Sequence, residues 1–260
     1  MPMQEVIRED TKSSEVAFHN ARFAADGSGE RPADRFYNIT LRSYHAYRAR
    51  LRRDCVGKRA LEIGCGTGHH SLELIKEGAI VTGIDISDVA IEVANDRATD
   101  LGLPSDFRVM DAERLDFSRG MFNLVYGTGI LHHLNLDAVL PEITRVMSPD
   151  GHAVFIEPMG HNPVINAYRK LTPSQRTQDE HPLTTADLRG FREHFGKAEL
   201  RFFYLFTLLA APLANIKAIG PVVDALDAVD QRLFAYIPAL QKFAWMVMMD
   251  LSQPRCERYS

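Results

Sequence analysis

The run Ala60-Leu-Glu-Ile-Gly-Cys-Gly-Thr-Gly-His69 constrains this chain more than any other stretch of similar length. Ala60, Leu61 and Ile63 suit a buried strand, and Ser71-Leu-Glu-Leu-Ile-Lys-Glu77 repeats its apolar residues at helical spacing. Gly64, Gly66 and Gly68 therefore fall on a strand-to-helix turn, where the lack of a Cβ admits unusual φ and lets backbone approach a ligand closely. A dinucleotide-binding turn is spaced G-x-G-x-x-G, with the third glycine packing helix on strand. Counted from Gly64, that third position is His69, so the dinucleotide pattern is broken.

Strands and helices then alternate. Segments 59–64, Ile80–Asp85, Phe107–Met110, Phe122–Tyr126 and His152–Glu157 read as strands. Helices are expected from the turn to about Glu77, from a Ser87 cap through Ala94, and over about 137–147. Short connections between alternating elements imply a parallel sheet with helices on both faces, joined by right-handed crossovers. Ligands on such sheets bind beyond the carboxyl ends of the strands. Ahead of this order, residues 13–25 suit a short helix, Asp26-Gly-Ser-Gly29 with Pro32 suits a break, and Tyr37, Tyr44, Tyr47 and Leu51 mark a helix expected to pack on the first strand. The chain divides into an N-terminal helical cap, 1–52, and one α/β domain, 53–260, with insertions at 158–183 and 207–241.

Composition narrows the partners. A chain of 260 residues buries one full core, and 30 basic against 34 acidic residues leave a net charge of -4, which gives no footprint for nucleic acid. Cys55, Cys65 and Cys256 form no C-x-x-C pair, so neither a disulfide framework nor structural zinc is expected, and a reducing cytoplasm suits them. No signal-peptide pattern opens the sequence. The longest apolar run, Phe202 to Ala214, is broken by Pro212 and is too short to span a bilayer.

The order Glu62-x-Gly64-x-Gly66-x-Gly68 resembles motif I of class I S-adenosylmethionine (SAM) dependent methyltransferases. Three further segments, Met110-Asp-Ala112, Phe122 to Leu134 and Val146 to Phe155, resemble that family's later motifs in order and spacing, so the likeness covers about residues 58–157. Pro149-Asp-Gly151 stands where the family has Pro-Gly-Gly, with turn chemistry retained. The resemblance implies a doubly wound, mostly parallel seven-stranded sheet, with an N-terminal helical appendage and an apolar helical insertion before the last strand. It implies SAM as cofactor and S-adenosylhomocysteine as product. Asp85, at the end of the second strand, is placed to take both ribose hydroxyls, and Asp111 to meet the adenine amino group. Glu62 is expected near the methionine amino group, with Gly64, Cys65, Gly66, Gly68, Ile86, Ala112, Gly127 and Tyr37 as further cofactor contacts. Each acid also has a plain structural reading: a solvated strand end for Asp85, a helix cap for Asp111, a buried acid on backbone amides for Glu62.

A sulfonium methyl is already activated, so in-line displacement needs chiefly alignment, and a base only where the acceptor keeps its proton. Histidine suits that task. His132 and His133 follow the fourth strand, and His132 is the preferred base because lipid-modifying cyclopropane synthases, which this segment resembles, carry a functional acid there. The alternative for both is to cap the next helix or to pack against the cofactor's methionine end. Glu157-Pro-Met-Gly-His-Asn-Pro163 and Asp179-Glu-His-Pro182 resemble phrases of bacterial small-molecule methyltransferases, which makes His161 a third candidate catalytic residue and His181 a candidate pocket residue. Asp179, Glu180 and His181 are adjacent in a loop and make a poor metal fork, so no metal is expected.

Thr184-Thr-Ala-Asp187 resembles a capping box opening a helix to Phe195, followed by a strand to about Phe206 and a last strand over Ala244–Leu251. In the intervening insertion Val222, Val223, Leu226, Val229, Leu233 and Phe234 form one helical stripe, with Asp224, Asp227, Asp230 and Arg232 mostly opposite. Such a surplus apolar helix is expected to roof an apolar acceptor pocket, with Phe36 and Tyr37 closing it from the other end, or to mediate self-association; the N-terminal helix offers a second oligomer surface. The expected function is methyl transfer to a small, mainly apolar molecule such as a terpenoid, indole, quinone or polyketide intermediate. The rivals are an NAD-dependent oxidoreductase and a SAM-binding interaction protein without transferase activity.

Overall fold

The computed structural model describes residues 12, 16–17, 20–21, 37–53, 55–172, 180–213 and 219–255. Seven strands, β1 Arg59–Ile63, β2 Ile80–Asp85, β3 Phe107–Val109, β4 Phe122–Thr128, β5 Met147–Pro158, β6 Phe195–Phe203 and β7 Met246–Pro254, form one sheet. Their order is β3-β2-β1-β4-β5-β7-β6. The first five pair in parallel, and β7 runs antiparallel between β5 and β6. The chain winds outward from β1 to β3, then returns to the other side of β1 to start β4. The crevice beyond the β1 and β4 carboxyl ends is therefore the switch point at which such sheets hold ligands.

The helices are α1 Tyr37–Arg52, α2 His69–Lys76, α3 Asp88–Asp100, α4 Leu136–Val146, α5 Pro163–Leu171, α6 Thr185–His194 and α7 Gly220–Tyr236. Central strands are apolar on both sides because both sheet faces are covered. Leu61, Ile63, Val125 and Phe155 pack with Val139 and Ile143 of α4 and Leu188 and Phe191 of α6. Ala60, Leu124, Tyr126 and Val154 pack on the other face with Leu72 and Ile75 of α2, Ile91 and Ala94 of α3, and Tyr47 and Leu51 of α1. Each large side chain so buried contributes about 1.5–3 kcal/mol relative to exposure. Local signals start the helices where the sequence places them. Ser87 Oγ accepts from Ala90 N at 3.1 Å, and Asp187 accepts from Thr184 N at 2.7 Å while its own N–H reaches Thr184 Oγ1 at 3.3 Å, completing the capping box.

Four expectations are corrected. First, α1 leans mainly on β5 and β7 rather than on β1, because Ser43 N donates to Tyr204 Oη at 2.7 Å and Arg50 pairs with Asp250 of β7. Second, β5 already starts at Met147. Its register jumps from Phe122↔Met147 to Leu124↔His152, so Pro149-Asp-Gly151 is accommodated as an irregularity within the strand rather than as a turn before it. Third, β6 stops at Phe203, since Tyr204 takes φ 65° and leaves the extended region. Fourth, α7 is rotated from the face its apolar stripe suggested. It buries Val223, Asp227, Asp230 and Phe234, while Val222, Val229 and Arg232 are exposed. The acids prevail because each has specific partners. Asp230 accepts from Leu205 N, Phe206 N, Thr207 N and Thr207 Oγ1 at 2.6–3.1 Å, and Asp227 pairs with Arg42 at 2.9 Å. Asp230 thus seizes the backbone just where Tyr204 ends the strand. Residues 13–25 and 26–32, Phe36, Asp179 and Cys256, for which the sequence carries expectations, lie wholly or mainly outside the described residues.

Candidate functional site

Three positive φ values explain three alternate glycines: 68° at Gly64, 50° at Gly66 and 75° at Gly68. Packing adds to the requirement, since a Cβ on Gly64 would stand 2.7 Å from Ile130 Cγ1 and one on Gly68 2.9 Å from Phe107 Cζ. The turn is pinned from β2. Asp85 accepts from Gly66 N at 2.8 Å with one carboxylate oxygen and from Ser87 N at 2.9 Å with the other. A carboxylate has acceptor capacity beyond these two bonds, which is what paired ribose hydroxyls need. Met110 N bonds to Asp85 O at 3.0 Å, so the ends of β2 and β3 are tied and Asp111 stands beside the same crevice.

Asp111 accepts from Glu113 N at 2.9 Å and pairs with Lys12, which also reaches Glu113 at 2.8 Å. Asn20 accepts from Ser87 Oγ at 2.5 Å and donates to Asp88 at 2.8 Å. Lys12 and Asn20 thus tie the N-terminal segment to the ends of β3 and β2. Neither contact was legible, because a lysine and an asparagine far from the motif carry no spacing signal.

Glu62 is buried within the sheet, where Ser71 Oγ donates to it at 2.5 Å and Tyr126 Oη stands at 3.4 Å. Burial raises its carboxyl to about 8; the Ser71 and Tyr126 hydrogen bonds pull against that rise, and the Asp85 charge adds to it. Above it, the fully buried Tyr47 hydroxyl is pushed well up by burial and then by the charge of Glu62, with Glu157 contributing. Tyr47 Oη, Thr128 Oγ1 and His70 Nδ1 are buried polar atoms without a completed hydrogen bond. His70 is held neutral, its imidazole lowered to about 4 by burial and by the neighbouring His69 and Arg48. Thr128 stands beside the Tyr47 hydroxyl and partly offsets its rise, and buried hydroxyls this sparsely satisfied suit a polar ligand. With a glycine turn, carboxylates at two strand ends and a buried acid below, they fit a zwitterionic nucleoside donor. Tyr47 and Thr128 were missed as site residues because an aromatic on a helix and a threonine in a strand are both ordinary core choices.

On the far side of β4 lies a second group. His132 sits in a short 3-10 turn, Leu131–His133, and is only 3% exposed. Glu157, at the end of β5 and wholly buried, accepts from Ile130 N and Leu131 N at 2.9 Å and holds His132 Nδ1 at 2.7 Å. One carboxylate therefore fixes both the turn and the ring. With Nδ1–H donating to Glu157, a neutral His132 presents its lone pair on Nε2. Glu180 Oε1 lies 3.4 Å from that nitrogen, within reach of its charge but not aligned for a hydrogen bond. Burial alone would lower the His132 imidazole, yet Glu157 and Glu180 together raise it above its ordinary value. The His133 ring lies against the same ring, centroids 4.1 Å apart and tilted by 40°.

The remaining candidates separate. His161 is exposed, and the Gly-His-Asn-Pro phrase acts as a helix cap: Asn162 accepts from Val164 N and Ile165 N at 3.0 Å and donates to Phe243 O at 2.7 Å. His181 is exposed too, and its contribution is a backbone N–H to His132 O at 2.8 Å. Cys65 is buried in the turn with its thiol pushed well up by burial, which leaves it inert. Gly127 has a packing role, since a Cβ there would meet Ile63 O at 2.8 Å. Ala112 is buried and Ile86 half-buried at the ends of β3 and β2. Tyr37 opens α1, and its side chain lies outside the described residues. Among the described residues no helix is long and apolar enough to cross a membrane.

Comparison with known proteins agrees with this geometry. Residues 60–151 match the family model described as a methyltransferase domain. The chain is 30% identical over 120 residues to the sterol 4-C-methyltransferase strm-1 of Caenorhabditis elegans, covering 45% of this chain and 36% of that protein. It is 35% identical over 101 residues to the ubiquinone biosynthesis O-methyltransferase of Nitrosococcus oceani, covering 38% and 43%. These matches span less than half the length of either relative. The crystal structure of geranyl diphosphate C-methyltransferase from Streptomyces coelicolor, in complex with S-adenosyl-L-homocysteine among other ligands, superposes with a TM-score of 0.61 at 15% identity, covering 94% of this chain and 98% of that one. At that identity the likeness is one of fold.

Proposed function

We propose, for a chain whose residues 60–151 form a methyltransferase domain of the class I, SAM-dependent kind, that it transfers the donor's methyl group to a small, mainly apolar acceptor. One observation carries this reading: the glycine turn with its Asp85 and Asp111 strand ends lies on one side of β4, and a buried His132–Glu157 pair lies on the other. Donor and base are thereby set on opposite sides of a single strand. SAM, when bound, supplies an activated methyl on a positive sulfur. Asp85 and Asp111 would hold the ribose and adenine, and Glu62, with the Tyr47 and Thr128 hydroxyls, would receive the methionine end.

The protein's own part is alignment, exclusion of water and removal of one proton. His132 takes the acceptor's proton at Nε2, and Glu157 stabilises the imidazolium that results while keeping the ring in place. The sterol and ubiquinone relatives support a lipid-like or quinone-like acceptor class. Calorimetric titration with S-adenosylhomocysteine and separately with NADH tests the donor: binding of the first alone is expected, and binding of NADH alone refutes the reading. Incubation with SAM and a panel of terpenoid, indole, quinol and polyketide acceptors, read by mass spectrometry, then tests transfer. Cofactor binding with no methylated product across the panel favours the interaction-protein rival.

A further inference from the structure

We infer that Glu180 is a positioning residue for methyl transfer: in the acceptor-free protein its carboxylate occupies the Nε2 side of His132, and the acceptor's hydroxyl group takes that place. The inference rests on the transferase reading and deepens it, because it assigns the acceptor's reacting atom to an O–H.

Three features of the structure carry it. The first is saturation of the other nitrogen. Nδ1 of His132 is engaged by Glu157 at 2.7 Å, so chemistry is left to Nε2, and Nε2 is buried without a completed hydrogen bond. The second is what faces it. Glu180 Oε1 stands 3.4 Å away with its side chain only 9% exposed, so this carboxylate lies between the base and solvent. The third is how Glu180 is mounted. His181 N bonds to His132 O at 2.8 Å, Leu183 N to Pro158 O at 2.9 Å, and Gly160 N to Leu183 O at 2.9 Å. The backbone after Glu180 is thus fastened to the base's own turn and to the end of β5, and only the side chain has to turn away to admit another oxygen.

The chemistry selects the acceptor. An amine that enters as its free base needs no proton acceptor, whereas an alcohol or phenol must lose its proton as it attacks. A carbon acid would need its enolate stabilised by positive charge or donors, and among the described residues the charged neighbours of His132 are two carboxylates. In the step itself the hydroxyl proton passes to Nε2, the oxygen–methyl bond forms as the methyl–sulfur bond breaks, and the bonding pair stays on sulfur as the neutral thioether. The imidazolium then gives its proton to Glu180 and so to water as the product leaves.

Among the described residues, the groups that face His132 are Glu157 from β5, Glu180 from the segment before α6, and the His133 ring on its own turn. Both carboxylates favour the protonated ring, so loss of one should lower its titration midpoint. The test uses the full-length protein with bound S-adenosylhomocysteine, selectively labelled histidine, and NMR titration of His132. Glu180→Gln is expected to lower the midpoint by about one pH unit, and Glu180→Asp to restore part of the shift. Phenol, a small apolar hydroxyl probe, should move the wild-type midpoint toward that of Glu180→Gln and leave the variant unmoved. An unchanged midpoint in Glu180→Gln, or a wild-type midpoint indifferent to saturating phenol, overturns the inference. Failure of the transferase reading would show separately, as loss of S-adenosylhomocysteine binding by the wild type.

Discussion

Glu62→Gln should remove a pH dependence of stability that the wild type carries. In the folded protein the carboxyl is raised from 4.5 to about 8, first by burial and then by the Asp85 charge. The sign follows from linkage: the folded form keeps this proton up to about pH 8 while the unfolded chain releases it near its ordinary value. Stability from this group is therefore complete below the unfolded value, declines through the interval, and is fully lost above about pH 8. At 1.36 kcal/mol per pH unit the span amounts to about 5 kcal/mol as a ceiling. The Ser71 and Tyr126 hydrogen bonds already lie within that figure, and relaxation of the buried site with entry of water reduces it to about 2–3 kcal/mol in practice. Gln accepts the same Ser71 hydroxyl but does not titrate. Urea unfolding at half-unit steps from pH 5 to 9 gives the comparison. The two proteins should be close in stability at pH 5 and diverge steadily toward pH 8, with the variant the more stable. Parallel curves would refute a protonated Glu62 in the cofactor-free protein. The same group predicts a binding signature: a cationic methionine amino group beside Glu62 drives its ionisation, so S-adenosylhomocysteine should bind with release of protons near pH 7.5 (a pH chosen just below the titration of Glu62 at about 8). Calorimetry in buffers of differing ionisation enthalpy measures that release, and Glu62→Gln should abolish it.

Other perturbations separate the parts of the site. Asp85→Ala should weaken S-adenosylhomocysteine binding by about 1.5–3 kcal/mol, the range for hydrogen bonds to a charged group; unchanged affinity by calorimetry would remove the ribose role. Glu157→Gln sets an amide against two backbone N–H donors and His132 Nδ1, and should reduce turnover about 100-fold with cofactor affinity nearly intact. Full turnover in that variant would show that Glu157 does not serve the base. Asp230→Asn should cost about 2–3 kcal/mol in urea unfolding, since an amide cannot accept all of the Leu205, Phe206 and Thr207 donors. A loss within experimental error would mean that another group ends β6.

The sequence made the sheet legible because its signals are local. Ala60, Leu61 and Ile63 are strand-compatible apolar residues, Gly64, Gly66 and Gly68 need positive φ, and Ser87 and Thr184 cap helices with partners two or three residues away. Where a residue's partner lies far along the chain, the pattern misled. The stripe on α7 looked like a buried face, but Arg42, at 185 residues' separation, takes Asp227, and the end of β6 takes Asp230. Periodicity counts apolar residues and is blind to an acid whose donors come from elsewhere. The site divides in the same way. Asp85 and Asp111 were legible as strand-end acids and His132 by its place after β4, whereas Lys12, Tyr47, Thr128, Glu157 and Glu180 acquire meaning only from what the fold brings beside them.

The two buried acids flanking β4 are the step that unites these observations. Glu62 and Glu157 leave β1 and β5, the strands on either side of β4, and Tyr47 feels the charge of both. Burying a carboxylate is unfavourable unless it is compensated. Glu157 has its compensation within the chain, in two backbone N–H groups and His132. Glu62 is met by the Ser71 hydroxyl and backbone N–H and by the Tyr126 hydroxyl, with no cationic partner among the described residues, and it answers by keeping its proton. On the proposed function the asymmetry distinguishes the roles: the acid that is fully satisfied within the chain would orient the base, and the acid that keeps its proton would receive a positive ligand. A cation arriving above β1 would relieve Glu62 while the His132 side stays poised. Donor binding and proton removal can therefore be tuned by separate residues on neighbouring strands.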